Sequence, residues 1–294
     1  MTLATLIERA ERYEAKFQTN NASLHPGLIV LRKDRPSAIE AVVYNPVVCL
    51  ILRGAKETAI GRMSVALSAG DALVVSHELP VVSKITQASS AAPYLAIVLS
   101  LDLTVVRSLY EQVGADVPSD SVARSLSAGA ADPIWADALE RYLVAVETPL
   151  EADVLGPLIL RELHFRLLMS SLGGMLRNLL AVDSHASRVA RAISRIRADF
   201  RQPLAVPDLA QLVGMSASSF HEHFKAVTGT TPLQYQKDLR MIEARGLLQG
   251  GNWSVSAASF EVGYESPAQF SREYTRKFGI PPSRDTGRVS LQVA

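Results

Sequence analysis

The sequence predicts an α+β protein of two domains, in which a β-rich domain with a helical extension precedes an all-helical domain. Three observations lead to this prediction. Short β-rich runs fill the first half, helical periodicity replaces them in the middle, and one helical pattern occurs twice near the C-terminus. A length of 294 residues suits two domains, and a hydrophobic fraction of 48% suffices for two cores. The expected boundaries are residues 1–180 and residues 188–288.

Eight β-rich runs divide the N-terminal half. Turn residues separate them, among them Asn45-Pro46, Arg53-Gly54 and Gly61-Arg62. Closely spaced strands of this kind predict an antiparallel barrel or a double-sheet sandwich. The predicted strands are 28–31, 41–44, 47–52, 57–60, 64–67, 72–75, 81–85 and 95–99.

Helical periodicity begins near residue 132 and continues to about residue 180. Leu139, Leu143 and Val146 form one apolar stripe, and a second, leucine-rich stripe runs through residues 158–179. Two interpretations of these helices stay open. They form a contact between two copies of the chain, or they cover the open side of the barrel.

The C-terminal part contains an internal repeat with an offset of fifty residues. Two copies are fewer than the three or more that a solenoid needs, so a pair of helix-turn-helix units is the better interpretation. The first copy is Ser216, Phe220, Phe224, Gly229 and Pro232, and the second is Ser266, Phe270, Tyr274, Gly279 and Pro282.

Spacing and capping residues define the second helix of each unit. Phe220, Phe224 and Val227 stand at i, i+4 and i+7, which places them on one helical face. Ser216 is the expected N-cap, and Gly229 is the expected end of the helix. Shorter helices over 207–213 and 255–262 precede the two later helices, with a glycine at each turn, and a helix over 231–248 joins the units.

Charge separates the two halves of the chain. Residues 185–294 contain 14 basic and 9 acidic residues, whereas the remainder contains 16 basic and 20 acidic residues. The C-terminal part is therefore basic although the formal net charge of the whole chain is only +1. A basic domain with two helix-turn-helix units indicates binding to DNA.

The C-terminal part resembles the DNA-binding domain of the AraC/XylS family of bacterial transcription regulators. The resemblance runs from Gly214-Met215-Ser216 to Pro232, and again from Gly263-Tyr264-Glu265-Ser266 to Pro281-Pro282. It implies that the later helix of each unit enters the major groove. By family position, the residues expected to contact DNA are Ser218, His221, Glu222 and Lys225 on the first helix, and Gln269, Ser271, Arg272 and Arg276 on the second.

The N-terminal half resembles the cupin-like domain carried by one branch of the same family. The matching residues include Pro46, Cys49-Leu50, Gly54-Ala55-Lys56 and Gly61. The resemblance implies a small-molecule effector or dimerisation, with promoter DNA and RNA polymerase as partners, and activation as the commoner mode. The candidate effector-binding residues are Arg32, Arg35, Cys49, Lys56 and His77. The charged segment 32–35 has two interpretations, a site for an anionic effector such as a cyclic dinucleotide and a solvated turn.

An enzyme is the alternative function: a cupin-type metal enzyme, or a cysteine-based modifying or repair protein fused to a DNA-binding domain. The sequence does not favour it. His25, His77 and His164 are scattered, so no metal ligand set, catalytic residue or cofactor is expected. Cys49 lies in an apolar run, where cysteine acts as a small hydrophobic residue, although a reactive thiolate is the competing interpretation.

The expected location is the bacterial cytoplasm, in association with the nucleoid and without a membrane partner. No apolar segment is long enough to span a bilayer, and a basic-then-apolar secretion signal is missing from the N-terminus. The single cysteine excludes an internal disulfide framework.

Overall fold

A computed structural model describes residues 2–19, 22–23, 25, 27–61, 63–114 and 124–285. Its strands form a two-stranded hairpin and two larger antiparallel sheets. The order is β11-β8-β5-β10-β3 in the five-stranded sheet and β4-β9-β6-β7 in the four-stranded sheet. The strands are β1 (Gln18–Thr19), β2 (Ala22–Ser23), β3 (Leu28–Lys33), β4 (Glu40–Tyr44), β5 (Val47–Arg53), β6 (Ala55–Ile60), β7 (Met63–Ser68), β8 (Asp71–Val75), β9 (Leu79–Gln87), β10 (Tyr94–Ser100) and β11 (Leu126–Ala130).

All eight predicted strands form, and the α+β fold class is confirmed. The described strands make two separate sheets and not one closed barrel. Strand β5 has apolar residues on both of its faces. Val48 and Leu50 face one side of the sheet, and Cys49 and Ile51 face the other. The five-stranded sheet is therefore buried on both faces.

Helices cover the outer face of the five-stranded sheet. Leu6, Leu139 and Leu167 pack there against Val48 and Leu50. The leucine-rich helices thus cover the sheet. Their first apolar stripe, Leu139, Leu143 and Val146, is buried. The helices of this part are α1 (Leu3–Phe17), α2 (Leu103–Val113), α3 (Pro133–Ala145), α4 (Pro149–Val154), α5 (Gly156–Met169) and α6 (Gly174–Leu180), with a 3-10 turn at Ser171–Gly173.

Six helices and a 3-10 turn make up the described C-terminal residues, 185–285. They are α7 (His185–Ala198), α8 (Val206–Leu212), α9 (Ala217–Thr228), α10 (Pro232–Gln249), α11 (Val255–Glu261) and α12 (Pro267–Phe278), followed by Pro282–Arg284. The α8–α9 and α11–α12 pairs are the two predicted helix-turn-helix units, and α10 joins them. Within the described residues, no helix combines the length and hydropathy that crossing a bilayer requires.

The two units differ in how their cores are built. Phe220 and Phe224 of the first unit belong to one continuous core with Ile51 of the five-stranded sheet and Val81 of the four-stranded sheet. The second unit has a core of its own, centred on Phe270 and Tyr274. The N-terminal part is therefore packed directly against the first unit.

Candidate functional site

Serine caps and left-handed glycines place α9 and α12 in equivalent settings. The Ser216 side chain accepts a hydrogen bond from the amide of Ser219, and Ser266 accepts one from the amide of Gln269. Gly229 and Gly279 end the two helices with φ of 76° and 74°. Such φ values cost glycine little, which explains why both copies of the repeat have glycine there.

The first recognition helix, α9, buries its aromatic face and presents a polar face. Phe220 and Phe224 are fully buried. The residues predicted to contact DNA are all exposed: Ser218, His221, Glu222 and Lys225. His223 lies beside this face and stacks on His185 of α7, with ring centroids 3.5 Å apart.

The second recognition helix, α12, has its most accessible cations at Arg272 and Arg276. Both are exposed, four residues apart, and neither guanidinium has an ion-pair partner among the described residues. Ser271 is half-buried and its hydroxyl donates to the carbonyl of Pro267, so this residue is less accessible than predicted. Gln269 is exposed and its amide donates to Glu273 at 3.2 Å, which leaves Arg272 and Arg276 as the free donors on this helix.

Arg240 holds the two units in one frame. Its guanidinium donates to the carbonyls of Phe200 and Arg201, which follow α7, and to Gly263 in the turn of the second unit. These distances lie between 2.7 and 3.0 Å. No local signal in the sequence indicates this role of Arg240, because its four carbonyl partners, which include Gln202, are distant along the chain.

A buried carboxylate fixes α12 to α10. Asp285 is fully buried and accepts hydrogen bonds from Arg245 Nε at 2.8 Å, Gln249 Nε2 at 3.1 Å and Tyr274 OH at 2.8 Å. Lys277 of α12 also pairs with Asp238 of α10. The orientation of α12 therefore depends on charged residues that have no local signal in the sequence.

Hydrogen bonds and close contacts connect the sheets and the residues beside them to the first unit and to α10. The amide of Ser125 donates to the carbonyl of Val227 at 3.3 Å, and Tyr235 OH donates to the carbonyl of Glu78 at 2.7 Å. At the β6–β7 turn, a Cβ added to Gly61 would lie 2.4 Å from the carbonyl oxygen of Gly229. The end of α9 thus touches the four-stranded sheet directly.

His77 belongs to this contact between the sheets and the first unit. Its Nε2 lies 3.2 Å from the carbonyl of Ala186 in α7, and its Nδ1 lies 2.9 Å from Ser76 Oγ and 3.0 Å from Ser125 Oγ. Burial lowers the pKa of His77 to about 4, so the ring is neutral near pH 7. Both ring nitrogens have protein partners, so His77 connects the sheets to α7, and its role as an effector ligand stays a prediction from the sequence.

Two other predicted effector residues, Lys56 and Cys49, lie together between the two sheets. Lys56 is 4% exposed, and its Nζ lies 3.7 Å from Cys49 Sγ and 3.3 Å from Tyr44 OH. Lys56 pairs with no described carboxylate. Burial lowers the pKa of Lys56, but the Cys49 sulfur and the neighbouring tyrosine hydroxyls raise it more, so the net direction is upward. The ammonium therefore keeps its proton.

Tyr94 adds a buried hydroxyl to this cluster. Its hydroxyl is buried and has no hydrogen-bond partner among the described residues, and burial raises the pKa of Tyr94. A buried ammonium without a carboxylate and a buried hydroxyl without a partner are both costly. An anionic ligand that reached both groups would relieve both costs. We refer to Tyr44, Cys49, Lys56 and Tyr94 as the lysine cluster.

Arg32 and Arg35 do not belong to the lysine cluster. The Arg32 side chain is 40% exposed and forms long contacts with Glu14 at 3.9 Å and Asp34 at 3.6 Å. Arg35 is exposed in the bend after β3. The surroundings of both residues are those of a solvated charged segment. No group of three or more potential metal ligands occurs among the described side chains.

Two family models match the chain. Residues 24–175 match the AraC-type transcriptional regulator N-terminus, and residues 209–287 match a helix-turn-helix domain. The chain is similar to the thermoregulatory protein LcrF of Yersinia pestis, with 26% identity over 60% of this chain and 64% of that protein. It is 28% identical to the transcriptional regulator CdhR of Pseudomonas aeruginosa over 48% of this chain and 40% of that protein.

A third relative is the virulence regulon transcriptional activator VirF of Yersinia enterocolitica, with 27% identity over 52% of this chain and 56% of that protein. The chain therefore covers less than two thirds of each of these relatives. Among solved structures, wild-type ToxT of Vibrio cholerae with a bound unsaturated fatty acid has the same fold, with a TM-score of 0.56 and 12% identity. That match covers 88% of this chain and 92% of ToxT.

Proposed function

The chain belongs to the AraC-type transcriptional regulators, and we propose that it regulates transcription by binding promoter DNA sequence-specifically through α9 and α12. The observation that carries the proposal is the pair of equivalent helix-turn-helix units, each with a buried aromatic face and an exposed polar face. We expect the two helices to enter adjacent major-groove segments one helical turn, ~34 Å, apart.

Arg272 is the residue that we propose for base recognition. It is exposed, its guanidinium is not engaged by any described carboxylate, and it lies in the middle of α12. A guanidinium can donate two hydrogen bonds to the two major-groove acceptors of guanine. Arg276, one turn further along α12, is the proposed phosphate contact, because base-reading residues cluster near the N-terminal part of a recognition helix.

Arg272→Ala is expected to weaken binding to the specific site by about 1–3 kcal/mol and to change binding to random DNA much less. Arg276→Ala should weaken both by similar factors and reduce the salt dependence of binding. The measurement is gel retardation or fluorescence anisotropy at several salt concentrations, on a site selected from a random DNA library by the full chain. Equal losses on both DNAs for Arg272→Ala would show that Arg272 contacts phosphate.

We further propose that a small anionic effector binds the lysine cluster and controls DNA binding. The Lys56 ammonium pairs with no described carboxylate, and the Tyr94 hydroxyl has no hydrogen-bond partner among the described residues; both support a ligand with a carboxylate or similar group. Cys49 would line this site as a buried neighbour of Lys56. The fatty acid named for ToxT suggests a long-chain carboxylate as one probe, although the likeness to ToxT concerns the fold alone.

Lys56→Met is expected to weaken carboxylate binding by roughly tenfold or more, since a hydrogen bond to a charged group contributes about 1.5–3 kcal/mol. Thermal shifts of the full chain with benzoate, octanoate and oleate measure this effect, because a ligand stabilises the folded state according to its occupancy. Lys84→Met is the matched control, since Lys84 is exposed on β9 of the same sheet. Equal shifts for both variants would rule out the lysine cluster.

The proposed signal passes from β6 to α9. Lys56 and Gly61 are five residues apart, and Gly61 touches the end of α9 at Gly229. Movement of β6 on binding an effector would therefore be felt first by the first helix-turn-helix unit. We propose the N-terminal domain as residues 1–180 and the DNA-binding domain as 188–288, with α7 bridging them, since α7 begins at His185.

We also propose that the chain dimerises and that it acts together with RNA polymerase. Leu150, Val154, Leu155 and Leu158 are large apolar side chains exposed on α4, the start of α5 and the turn between them, and support dimerisation through this surface. Recruitment of RNA polymerase at a promoter, by activation more than by repression, and action at the bacterial nucleoid follow from the proposed DNA binding. We propose binding of an effector without turnover, in keeping with the regulators to which the chain is similar.

A further inference from the structure

Gln269 lies near the N-terminal end of α12, on the same face as the two arginines proposed to contact DNA. It is the third residue of the helix, and Arg272 and Arg276 follow at i+3 and i+7. In helix-turn-helix proteins the N-terminal residues of the recognition helix contact base edges. A glutamine carboxamide contains both a donor and an acceptor, so the atom that it presents decides which bases it selects.

Glu273, one turn after Gln269, is a carboxylate that three donors hold in place. Its side chain is only 15% exposed. Oε1 accepts hydrogen bonds from Lys237 Nζ and from Gln269 Nε2, both at 3.2 Å, and Oε2 accepts one from Tyr264 OH at 2.8 Å. Burial raises the pKa of Glu273, but these hydrogen bonds and the positive charge of Lys237 lower it more, so the net direction is downward. Glu273 is therefore ionised near pH 7 and can only accept hydrogen bonds.

An ionised Glu273 fixes which way the Gln269 carboxamide is turned. Rotation of the amide by half a turn would bring its oxygen against a carboxylate oxygen, and two acceptors repel each other. The nitrogen is thus turned to Glu273, and Gln269 Oε1 accepts no hydrogen bond from any described residue. Because Gln269 is exposed, this oxygen and the second amide hydrogen remain available to DNA.

The first unit has different residues at the equivalent positions of the repeat. Ser219 and His223 stand fifty residues before Gln269 and Glu273. His223 stacks on His185 of α7 and supplies no carboxylate. The contact that orients a glutamine is therefore specific to α12.

We propose that Glu273 sets the base specificity of the second unit by holding Gln269 in the orientation that selects adenine. In the major groove, adenine presents its 6-amino donor and its N7 acceptor, which match an outward amide oxygen and an amide hydrogen. Guanine presents two acceptors there, O6 and N7, and O6 would face the Gln269 oxygen. The inference rests on the proposed binding of DNA through α12 and deepens it. Glu273 is a positioning residue, because its carboxylate acts through Gln269 and not on the base.

The test starts from a site that the full chain selects from a random DNA library. The base pair read by Gln269 is the one whose preference disappears in Gln269→Ala. We expect an A·T pair there, and its replacement by G·C should weaken binding about fivefold or more. Purine in place of that adenine lacks the 6-amino group and should weaken binding by a similar factor. This last measurement uses the unchanged chain.

Glu273→Gln tests the positioning role. An amide at residue 273 can donate as well as accept, so the Gln269 amide can turn over. The preference for A·T over G·C at this base pair should then fall to within about twofold, while preferences at the other positions remain. Combination with Gln269→Ala should cause no further change in preference, because the two residues act as one unit.

Lys237→Met is the matched control for Glu273→Gln. It removes another partner of the same carboxylate but leaves the hydrogen bond between Gln269 and Glu273. The Lys237 side chain is 45% exposed, so methionine fits there without repacking. The preference for A·T should persist in this variant, whatever the change in overall affinity.

The outcomes separate this inference from the proposed function. A full chain that selects no DNA sequence would overturn both. A selected site in which Gln269→Ala alters no preference, or alters it at a pair other than A·T, would overturn the inference alone. Full affinity for the site with purine would do the same. A folded Glu273→Gln variant that keeps its preference, or that loses affinity equally for all base pairs, would also overturn it.

Discussion

Gly263→Ala is expected to destabilise the second helix-turn-helix unit by about 2–5 kcal/mol and to abolish specific DNA binding. Gly263 has φ of +85°, a conformation that costs an L-residue about 1–2 kcal/mol. An added Cβ would also lie 2.1 Å from the carbonyl oxygen of Arg201, which is backbone and cannot rotate away. Overpacking of this kind costs a further 1–3 kcal/mol or so. Urea unfolding of the full chain and gel retardation measure the two effects.

The internal repeat provides a matched control in Gly214→Ala. Gly214 occupies the equivalent turn of the first unit with φ of +66°, but the nearest atom to an added Cβ is the end of the Arg188 side chain at 3.6 Å. Only the backbone cost of about 1–2 kcal/mol should remain. Equal destabilisation by the two substitutions would contradict the close approach of residue 201 to the second turn.

Asp285→Ala is expected to destabilise the same unit by roughly 3–5 kcal/mol, the range measured when one partner of a buried ion pair is removed. The substitution leaves the Arg245 guanidinium, whose side chain is 13% exposed, without its carboxylate. It also leaves Tyr274 OH and Gln249 Nε2 without their acceptor. Denaturant unfolding measures the loss, and DNA affinity should fall because α12 loses its anchor to α10.

Hydrogen exchange locates the effect of Asp285→Ala. Since the second unit has its own core, protection should fall in α11, α12 and the second half of α10 but remain in α8 and α9. Glu265→Ala is the control, because Glu265 is an exposed carboxylate in the same unit, and its removal should change stability by less than about 0.5 kcal/mol. Uniform loss of protection across the chain would contradict the separation of the two cores.

Much of the proposed DNA-binding surface could be predicted because its signals are local. Ser216 and Ser266 cap their helices, the glycines end them, and the spacing of aromatic residues sets which face is buried. The exposed set then follows from helical geometry alone, with Ser271 as the partial exception, because its hydroxyl turns back to Pro267.

Two elements of the N-terminal part, β11 and α1, were not predicted from the sequence. β11 has the sequence Leu-Ser-Ala-Gly-Ala, which has little intrinsic β-propensity, and it forms because β8 offers an edge for pairing. Helix α1 was also missed, although Leu6, Ala10 and Tyr13 have helical spacing and are buried against the sheet. Two hydrogen-bond partners of His77, in α7 and before β11, are distant in sequence, so no local pattern predicts this contact.

The sequence by itself determined eight of the strands, the two helix-turn-helix units and the polar faces of α9 and α12, because caps, turns and periodicity act over a few residues. Only the tertiary structure decided that the strands form two sheets, that the first unit shares its core with them, and that Arg240 and Asp285 fix the second unit. It also brought the Lys56 ammonium to Cys49 and left the Tyr94 hydroxyl without a hydrogen-bond partner among the described residues. The physical reason is that burial, pairing and unsatisfied donors are properties of contacts between distant segments, which no local pattern encodes.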